Sequence, residues 1–510
     1  MKAVKVKKLG TLTAAALIVT SVLAGCGDSK TSAPAQGTAA PGATAPLPIK
    51  MVLNFDGKEF PQPGNTAQTE IEKYTNTKLQ ISAISSNDFC SKLPVMIASG
   101  DLPQIIASCG TPSQSYLISA VQSGAFWDIT PFIKDYKNLA QMPQLVYDNI
   151  KIDGKVFGVP RYRPISRYTF AYRKDWLDNV GLQQPKTVDD LYNMLKAFTN
   201  NDPDKNGKND TFGITAMIKN SSLSPDFGVL FGAPYTWGVK DGKFIKAEET
   251  PEYLESLKFT KKLYDEKLMN QDFASIDIPK NEGDLENGKA GVISAATNNL
   301  IAFQSRVQSH NPNGILEPSS ALEGPKGKFV QGERGSNGIL MFPKASVKTE
   351  AELKQLLGFI DKLSDKPMAD LLEWGIQGKH YDLKDGKAVR TNQETYDNEV
   401  GFPYNKPLVT VPLEAIKTPG QLDPMVKKQL DVEADNSKYA VVDPTMVLIS
   451  PTWTTKGQEL LTTLTDAKVK YIMGKIDEAG WKAAIEKYKK AGGDQAAQEY
   501  ADAYAKAQKK

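Results

Sequence analysis

Histidine is nearly absent from this 510-residue chain, which contains only His310 and His380. Neither lies in a metal-ligand spacing such as HExxH, and the sequence has no GxSxG nucleophile elbow and no GxxxxGK[S/T] phosphate loop. These absences argue against zinc hydrolases, α/β-hydrolases and P-loop NTPases. A glycosidase stays open, because its paired carboxylates meet in space and carry no sequence motif.

Long apolar runs are also lacking, apart from one at residues 9–23 that follows four lysines. A basic head and a short apolar run predict a secretory signal at residues 1–25, and no later run has the length of a membrane span. The signal ends in Leu23-Ala24-Gly25-Cys26, which resembles a bacterial lipobox and implies cleavage before Cys26 and lipid on its thiol. An ordinary signal peptide with a chance cysteine is the alternative.

Residues 27–46 contain almost no large apolar side chain, so they cannot bury enough surface to fold. With lipidated Cys26 they predict a flexible tether with a span of roughly 25 Å. The chain has 62 basic and 59 acidic residues, and the signal takes four of the lysines. The remaining chain has no basic excess, which argues against nucleic acid as a partner.

Cysteine is scarce too, and beyond Cys26 only Cys90 and Cys109 remain. Residues 79–85, 88–98 and 104–108 predict a strand, a helix and a strand. In a parallel βαβ unit the helix begins and the second strand ends at the same edge, so the two thiols can meet. A disulfide, favoured by an oxidising compartment, and two separate buried thiols both remain open.

One polar loop has the spacing of a calcium site. It follows a helix that Thr187 and Asp190 cap, with apolar residues on one face. Oxygen ligands at alternate positions with a glycine at position 6 wrap a hard cation. The ligands are the side chains of Asp202, Asp204, Asn206 and Asp210 and the carbonyl of Lys208, with Gly207 at the turn. Position 12 is Gly213, so another group must complete a structural calcium site; a plain polar loop is the alternative.

Several stretches together carry a family resemblance. They include GKVFGVP, YRKDWLDNVGLQQPKTVDDLYNMLKAF, NDPDKNGKNDTFGI, KLPVMIASGDLPQIIAS and WGIQGKHYDLKDGKAVR. The chain resembles the lipoprotein branch of the family 1 extracellular solute-binding proteins, which serve oligosaccharide importers of bacteria. The resemblance covers nearly the whole chain after the signal.

The resemblance implies an α/β, two-lobed periplasmic-binding-protein-like fold of type II, with the lobes joined by crossing hinge segments. We expect residues 47–510 to form this unit, with crossings near Arg167, Arg334 and Tyr439 onward. Lobe 1 would span about 47–165 and 338–440, and lobe 2 about 166–337 and 441–510.

A sugar needs aromatic rings for its apolar face and planar polar groups for its hydroxyls. The candidates at the first crossing are Arg161, Tyr162, Arg163 and Arg167, which could equally be a solvated edge. The candidates at strand ends, where ligands of α/β sheets gather, are Asn54, Asp56, Thr297 and Asn298. The stacking candidates, in stretches that we predict to be irregular, are Trp237, Trp374 and Trp453, although each could simply cover a lobe.

The resemblance therefore implies a monomeric lipoprotein on the extracellular face of the bacterial membrane. It would capture an oligosaccharide, with or without uronates, and deliver it to the permease of an ABC importer without catalysis. A surface-anchored polysaccharide-degrading enzyme and a surface sensor or adhesin are the alternatives.

The anchor gives the first prediction: Cys26→Ala should release the protein into the medium. Residues 27–46 carry no apolar segment of their own that could hold it at a bilayer, whereas buried acyl chains contribute about 0.8 kcal/mol per CH₂. Immunoblots of washed membranes and medium measure the distribution. A variant that stays with the membranes after a salt wash would show that the lipobox interpretation is wrong.

Overall fold

The computed structural model describes residues 45–57, 59–110, 114–219 and 222–508. The predicted signal peptide, Cys26 and most of the predicted tether lie outside these residues. Among the described helices, none combines the length and the apolar character needed to cross a bilayer.

The strands follow in chain order: β1 (Leu47–Phe55), β2 (Thr77–Ser85), β3 (Ile105–Ala107), β4 (Gly158–Tyr162), β5 (Tyr168–Arg173), β6 (Phe212–Ile214), β7 (Met217–Lys219), β8 (Ser222–Ser224), β9 (Trp237–Lys240), β10 (Lys243–Lys246), β11 (Ala290–Ala296), β12 (Leu316–Pro318), β13 (Glu323–Gly324), β14 (Gly327–Lys328), β15 (Val330–Gln331), β16 (Ser336–Met341), β17 (Tyr381–Lys384), β18 (Lys387–Arg390) and β19 (Ala440–Val441).

The α-helices follow in chain order: α1 (Thr66–Thr75), α2 (Ser86–Ser99), α3 (Ser115–Gln122), α4 (Gln144–Asp148), α5 (Lys174–Asn179), α6 (Val188–Asn200), α7 (Pro251–Asp265), α8 (Ile278–Glu286), α9 (Leu300–His310), α10 (Glu350–Lys362), α11 (Lys366–Trp374), α12 (Gln393–Tyr396), α13 (Lys406–Leu408), α14 (Pro424–Asn436), α15 (Pro451–Ile472), α16 (Glu478–Tyr488) and α17 (Asp494–Gln508).

The first sheet has the strand order β2-β1-β3-β16-β4. β1 runs parallel to β2 and β3, whereas β16 runs antiparallel to β3 and β4. Strands covered on both faces read as nearly continuous apolar runs, as β3 and β16 do. The apolar core around this sheet comes from residues between Ile49 and Val159 and between Ile339 and Leu413.

The second sheet has the strand order β12-β5-β11-β6, with β11 antiparallel to β5 and parallel to β6. Its core comes mainly from residues between Tyr172 and Leu322 and between Leu460 and Tyr488. Helix α6 packs here through the apolar face that the sequence predicts, behind a capping box of Thr187 and Asp190. At position 291 of β11 a Cβ would come within 2.1 Å of the Phe198 ring, so only glycine lets α6 lie this close.

The chain passes between the two sheets three times. The first passage joins β4 to β5, the second leads from β15 to β16, and the third lies between α13 and β19. Backbone hydrogen bonds tie these passages together: Arg163 N to Gly335 O at 3.0 Å, Glu333 N to Ile165 O at 2.7 Å, Tyr162 N to Val409 O at 2.9 Å and Gly332 N to Val441 O at 2.9 Å. Two α/β lobes joined by crossing segments are the architecture that the sequence predicts.

The exact lobe boundaries stay a prediction, and α14 is the element that fits them least. The predicted division places α14 in the first lobe, but its side chains contact elements of the second sheet. Glu433 accepts a hydrogen bond from Thr297 after β11, Lys428 forms an ion pair with Glu317 of β12, and Asn436 Oδ1 accepts from the backbone at Ala321.

The structure joins Cys90, within α2, to Cys109, which follows β3, in a disulfide with Cα atoms 5.3 Å apart. Because β2 and β3 both run parallel to β1, the helix between them begins at the edge of the sheet where β3 ends. Of the two arrangements that the sequence leaves open, the structure has the disulfide.

Candidate ligand-binding site

A cavity of about 740 Å³ lies at the edge of the second sheet where β5 begins and β11 ends. Its size is typical of cavities that hold small organic ligands. The crossing segments supply one part of its lining, with Arg167, Tyr168, Gln331 and Asp443. The interior of the second lobe supplies another part, with Asp226, Tyr235, Trp237, Lys246, Glu248, Tyr253, Trp453 and Lys468.

Four arginines, which we name the crossing arginines, lie at the passages between the sheets: Arg161, Arg163, Arg167 and Arg334. Arg161 is buried, and its guanidinium donates to the side-chain oxygen of Asn54 and to Ser108 O at 3.2 Å. Burial, followed by the charge of Arg163, lowers the pKa of Arg161 to about 10. Burial also lowers the pKa of Arg163 and of Arg334, and the charge of a neighbouring crossing arginine adds to each shift.

Only one crossing arginine has an ion-pair partner among the described residues. Arg167 Nε lies 3.2 Å from Glu333 Oε2, whereas no carboxylate oxygen lies within 4.0 Å of the guanidinium groups of the other three. A buried cation without a counter-ion is costly, since burial disfavours the charged form. The acidic charges that act on the other three arginines, those of Asp56, Glu333 and Asp443, come from beyond ion-pair distance.

Unpaired polar atoms concentrate at the same place. Twelve buried side-chain polar atoms of the described residues lack a hydrogen-bond partner, and six of them lie at the passages between the sheets. They are Nε of Arg161, Arg167 and Arg334, Oγ of Ser166 and Ser336, and Oγ1 of Thr410. Arg167 Nε is within ion-pair distance of Glu333 but does not form a hydrogen bond with it. Such groups are rare because each costs about 1–3 kcal/mol, so their clustering at the passages distinguishes this region from the rest of the described chain.

Two acids with little access to water lie near the crossing arginines, since Glu433 is buried and Asp443 is half-buried. Asp443 Oδ1 accepts from Thr445 N at 2.8 Å and from its hydroxyl at 2.7 Å, and the Thr236 hydroxyl donates to Asp443 Oδ2. Burial raises the pKa of Asp443 despite these hydrogen bonds. Burial likewise raises the pKa of Glu433, which accepts from Thr297. Because burial disfavours the ionised form of these two acids, they balance the positive charge of the arginines less than ordinary carboxylates would.

The part of the lining that we name the inner wall consists of Asp226, Lys246, Glu248, Tyr253 and Lys468. Glu248 Oε1 lies 2.8 Å from Lys468 Nζ, and its Oε2 lies 3.0 Å from Lys246 Nζ. Lys468 is also 4.0 Å from Asp226, which accepts from the Tyr253 hydroxyl at 2.6 Å. Burial alone would raise the pKa of Glu248, but the charges of Lys246 and Lys468 lower it to about 2. Both lysines of the inner wall are thus paired.

The three tryptophan candidates lie in regular elements and not in the irregular stretches that we predict. Trp237 begins β9 and is buried, Trp453 lies in the first turn of α15 and is half-buried, and their ring centroids are 5.3 Å apart in an edge-to-face contact. Both line the cavity. Trp374 ends α11, donates from Nε1 to Thr418 O at 2.8 Å and packs with Tyr381 and Ala388. Trp374 does not line the cavity and is not part of the proposed site.

The strand-end candidates differ in their surroundings. Asn54 bonds Arg161, and buried Thr297 bonds Glu433, so both belong to the polar network at the crossing. Asp56 is exposed, with Lys406 Nζ at 3.6 Å, and its charge reaches Arg161 and Arg163. Asn298 is exposed and donates to Asn299 Oδ1 at 2.9 Å.

Some residues at the site escaped the sequence analysis, among them Tyr168, Tyr235, Gln331, Glu433 and Asp443. Gln331 donates to the Tyr235 hydroxyl at 2.7 Å across 96 positions of the chain, and no local motif marks such a pair. Tyr168 directly follows Arg167, whose guanidinium lies 5.8 Å from the centre of its ring. The aromatic content of the segment around Tyr168 was the one sequence signal that could have indicated this residue.

The predicted calcium loop brings its carboxylates together. Asp202 accepts from the backbone N–H groups of Asn206 and Gly207, each at 3.0 Å. The Asn206 amide donates to Asp204 Oδ2 at 2.7 Å and to Asp210 Oδ1 at 3.2 Å, so its NH₂ group lies between two carboxylates. Burial and the neighbouring Asp202 and Asp210 raise the pKa of Asp204.

One observation argues against a bound cation in this loop, and another supports it. In the described part of the chain, no group of three or more His, Cys, Asp or Glu side chains is arranged to hold a metal ion. However, Asp204 Oδ1 is buried and has no hydrogen-bond partner, which is what a carboxylate oxygen reserved for a cation would show. The donor set of carboxylate, amide and backbone oxygens suits calcium.

Two lobes, three crossing segments and a cavity beside a cluster of unpaired arginines define a solute-binding protein. The family model for bacterial extracellular solute-binding proteins matches residues 56–364, more than half of the chain. The chain therefore belongs to this family, as the sequence motifs indicate.

Two curated relatives from Bacillus subtilis match nearly the whole chain. Lipoprotein LipO is 35% identical over 484 residues, which cover 93% of this chain and 94% of LipO. The polygalacturonan/rhamnogalacturonan-binding protein YtcQ is 36% identical over 496 residues, which cover 96% and 97% of the two chains. Among solved structures, the EF-hand mutant of the Streptococcus pneumoniae substrate-binding protein FusA with fructo-nystose shares the fold, with a TM-score of 0.61, 19% identity and coverage of 91% and 99%.

The buried carboxylate of Asp443 gives a stability prediction. Because burial raises its pKa, the folded state binds this proton more tightly than the unfolded state, and stability falls as pH rises from the unfolded pKa of about 3.8 towards the raised folded value. Asp443→Asn keeps the Oδ1 acceptor for Thr445 and removes the charge. We expect a higher melting temperature than wild type at pH 7 and a shrinking difference as pH falls towards 4.

Thermal unfolding of both proteins at several pH values measures this difference. Asp466→Asn, at an exposed position of α15, is the matched control and should leave the melting temperature unchanged at every pH. A lower melting temperature for Asp443→Asn at pH 7 would contradict the interpretation of Asp443 as a strained carboxylate.

Proposed function

We propose that this protein captures an oligosaccharide that carries at least one uronate and delivers it to an ABC importer. The observation that carries the proposal is the group of crossing arginines, three of which have no carboxylate within 4.0 Å among the described residues. A guanidinium group matches a carboxylate with two parallel hydrogen bonds, and such a pair is most valuable where water is excluded. A uronate supplies the missing anion.

The rest of the lining suits sugar hydroxyls and sugar rings. Tyr168, Tyr235 and Trp453 present half-buried rings, and Gln331 and Asp443 present planar polar groups. Aromatic faces stack on the C–H face of a pyranose, and planar groups bond its hydroxyls. The name of YtcQ, a polygalacturonan/rhamnogalacturonan-binding protein, supports an acidic polysaccharide fragment as the ligand.

Delivery requires that the filled protein differ from the empty one. A ligand that contacts both the crossing arginines and the interior of the second lobe gains more contacts when the lobes close, so it favours the closed form by that difference in affinity. We further propose that lipidated Cys26 holds the protein, as a monomer, at the extracellular face of the membrane beside its permease.

The binding prediction uses tetragalacturonate and the neutral maltotetraose as probes. We expect titration calorimetry to show binding of the first, with affinity at least tenfold above that for the second. Arg167→Gln should weaken tetragalacturonate binding by roughly 10- to 100-fold, as expected for the loss of about 1.5–3 kcal/mol from a charge-assisted hydrogen bond, because Arg167 is the crossing arginine that lines the cavity. Arg163→Gln, which removes a positive charge next to the cavity lining, should weaken binding by a smaller factor.

Arg306→Gln is the control, because Arg306 lies outside the cavity and is paired with Glu282 and Glu286. Equal affinity for both probes, or unchanged binding by both crossing variants, would refute the proposal that the ligand carries a uronate. Chromatography of the sugar after incubation tests the enzyme alternative, since capture leaves its chain length unchanged.

We also propose that the loop from Asp202 to Asp210 holds a structural calcium ion. Asp202, Asp204, Asn206 and Asp210 would supply side-chain oxygens and Lys208 its carbonyl, with Asp204 Oδ1 finding the partner that it lacks. Calcium would neutralise the three carboxylates and fix the loop behind α6. The Asn206 amide would have to turn its oxygen inward, because its nitrogen now lies between Asp204 and Asp210.

Removing the ion gives the calcium prediction. Chelator should lower the melting temperature of the wild-type protein by a few degrees, and added calcium should restore it, because a ligand that binds only the folded state stabilises it. Asp204→Ala should abolish both responses. A wild-type melting temperature that is the same with chelator and with excess calcium would contradict a calcium site.

A further inference from the structure

One non-glycine residue of the cavity has a strained backbone. Thr236 lines the cavity and has a φ of 58°. Of the eight described non-glycine residues with positive φ, it is the only one with a β-branched side chain and the only one in the cavity lining. A positive φ is rare for such a side chain because its Cβ crowds the backbone. Trp237 N donates to Tyr235 O at 2.8 Å, which closes a γ-turn around Thr236 in the rare, strained form that has a positive φ.

Hydrogen bonds to both the hydroxyl and the carbonyl of Thr236 hold this turn. The Thr236 hydroxyl donates to Asp443 Oδ2. Thr236 O accepts from Lys246 Nζ at 3.1 Å and from Ala247 N at 2.8 Å. A strained conformation persists only where its surroundings fix it, and these contacts supply that constraint.

The turn is also attached to two of the passages between the sheets. Gln331 of β15 donates to the Tyr235 hydroxyl at 2.7 Å, and Asp443 follows β19. β15 and β19 pair in parallel, with Gln331 opposite Val441. The turn therefore contacts a pair of crossing segments through Tyr235 and through Thr236.

The γ-turn sets the positions of two aromatic rings of the cavity. Tyr235 is half-buried and lines the cavity. Buried Trp237 also lines it and packs edge-to-face against Trp453, with 5.3 Å between the ring centroids. Because Tyr235 and Trp237 flank Thr236, a change in the Thr236 backbone dihedrals would redirect one ring relative to the other.

We propose that Thr236 is a positioning residue of the binding site: its strained turn orders the Tyr235 and Trp237 rings before the ligand arrives, and Asp443 keeps the turn in this form. A site that is ordered in advance loses less conformational freedom on binding, so the strain serves affinity and not stability. The inference rests on the proposed function for the identity of the ligand, and it assigns no direct contact between Thr236 and the sugar.

Thr236→Gly tests the inference in the full protein. Glycine adopts a positive φ readily, so the variant should fold and melt close to the wild-type temperature. It lacks the hydroxyl that Asp443 holds, so near-ultraviolet circular dichroism, which reports fixed packing of aromatic rings, should lose intensity. Calorimetry should show tetragalacturonate affinity about tenfold weaker, because ordering the turn becomes a cost of binding. Asp443→Ala should cause the same loss of dichroism.

Two further variants serve as controls. Thr236→Ser retains the hydroxyl, so it should keep the dichroism spectrum and lose less than about threefold in affinity. Lys267→Gly is the matched control, because Lys267 also has a positive φ, of 57°, but lies outside the cavity. This replacement should change neither the spectrum nor the affinity.

Three results would overturn the inference: a glycine variant with the wild-type spectrum and affinity, a glycine variant that melts at a lower temperature with unchanged affinity, or a serine variant that loses as much affinity as the glycine variant. Wild-type protein that does not bind tetragalacturonate would refute the proposed function instead. In that case the dichroism spectra of the ligand-free variants still decide whether Thr236 positions the two rings.

Discussion

One buried and two half-buried arginines without a counter-ion at the crossing are the constraint on which the rest of the site depends. Arg161, Arg163 and Arg334 are held where burial lowers their pKa, and no carboxylate of the described chain comes within 4.0 Å of them. Cations partly removed from water without a counter-ion destabilise the folded protein. The two apolar cores must offset this cost, and under the proposed function a carboxylate of the ligand would relieve it.

The position of these arginines relates ligand binding to the relative movement of the two lobes. They lie on segments that pass between the sheets and are hydrogen-bonded to one another, so a ligand bound to them sits at the junction of the lobes. Of the four arginines, Arg167 lines the cavity that also contains Trp453 and the inner wall. A ligand that contacts both lobes binds the closed form more tightly than the open form, so its binding free energy favours closure. The loop from Asp202 to Asp210 and the disulfide lie apart from this cavity and contribute to the scaffold.

Local patterns in the sequence predicted local features well. The capping box of α6, the apolar strand Ala290–Ala296 and the carboxylate spacing of the loop after α6 depend on neighbours within a few residues, so periodicity and composition reveal them. The two-lobed α/β fold followed from motifs spread over the chain. Arg161 and Arg167 became candidates because they fall in one aromatic, basic segment, and their role in binding stays a prediction.

Features that depend on distant partners could not be found in this way. Asp443 and Thr236 are 207 positions apart, and Trp374 is buried by residues near Tyr381 and Thr418 that form no pattern with it. Helix α14 joins the second sheet through Thr297 and Glu317, which a linear division into lobes cannot anticipate. Glycine and proline near the tryptophans indicated irregular chain, whereas tertiary packing placed Trp237 in a strand and Trp453 in a helix.

The central claim is that an acidic oligosaccharide bridges the crossing arginines and the second lobe and closes the molecule. Small-angle X-ray scattering of the protein, alone and with saturating tetragalacturonate, tests it most directly. The account predicts a smaller radius of gyration with the sugar and no change with maltotetraose at the same concentration. A radius of gyration that stays fixed while calorimetry shows the tetrasaccharide bound would contradict closure by bridging.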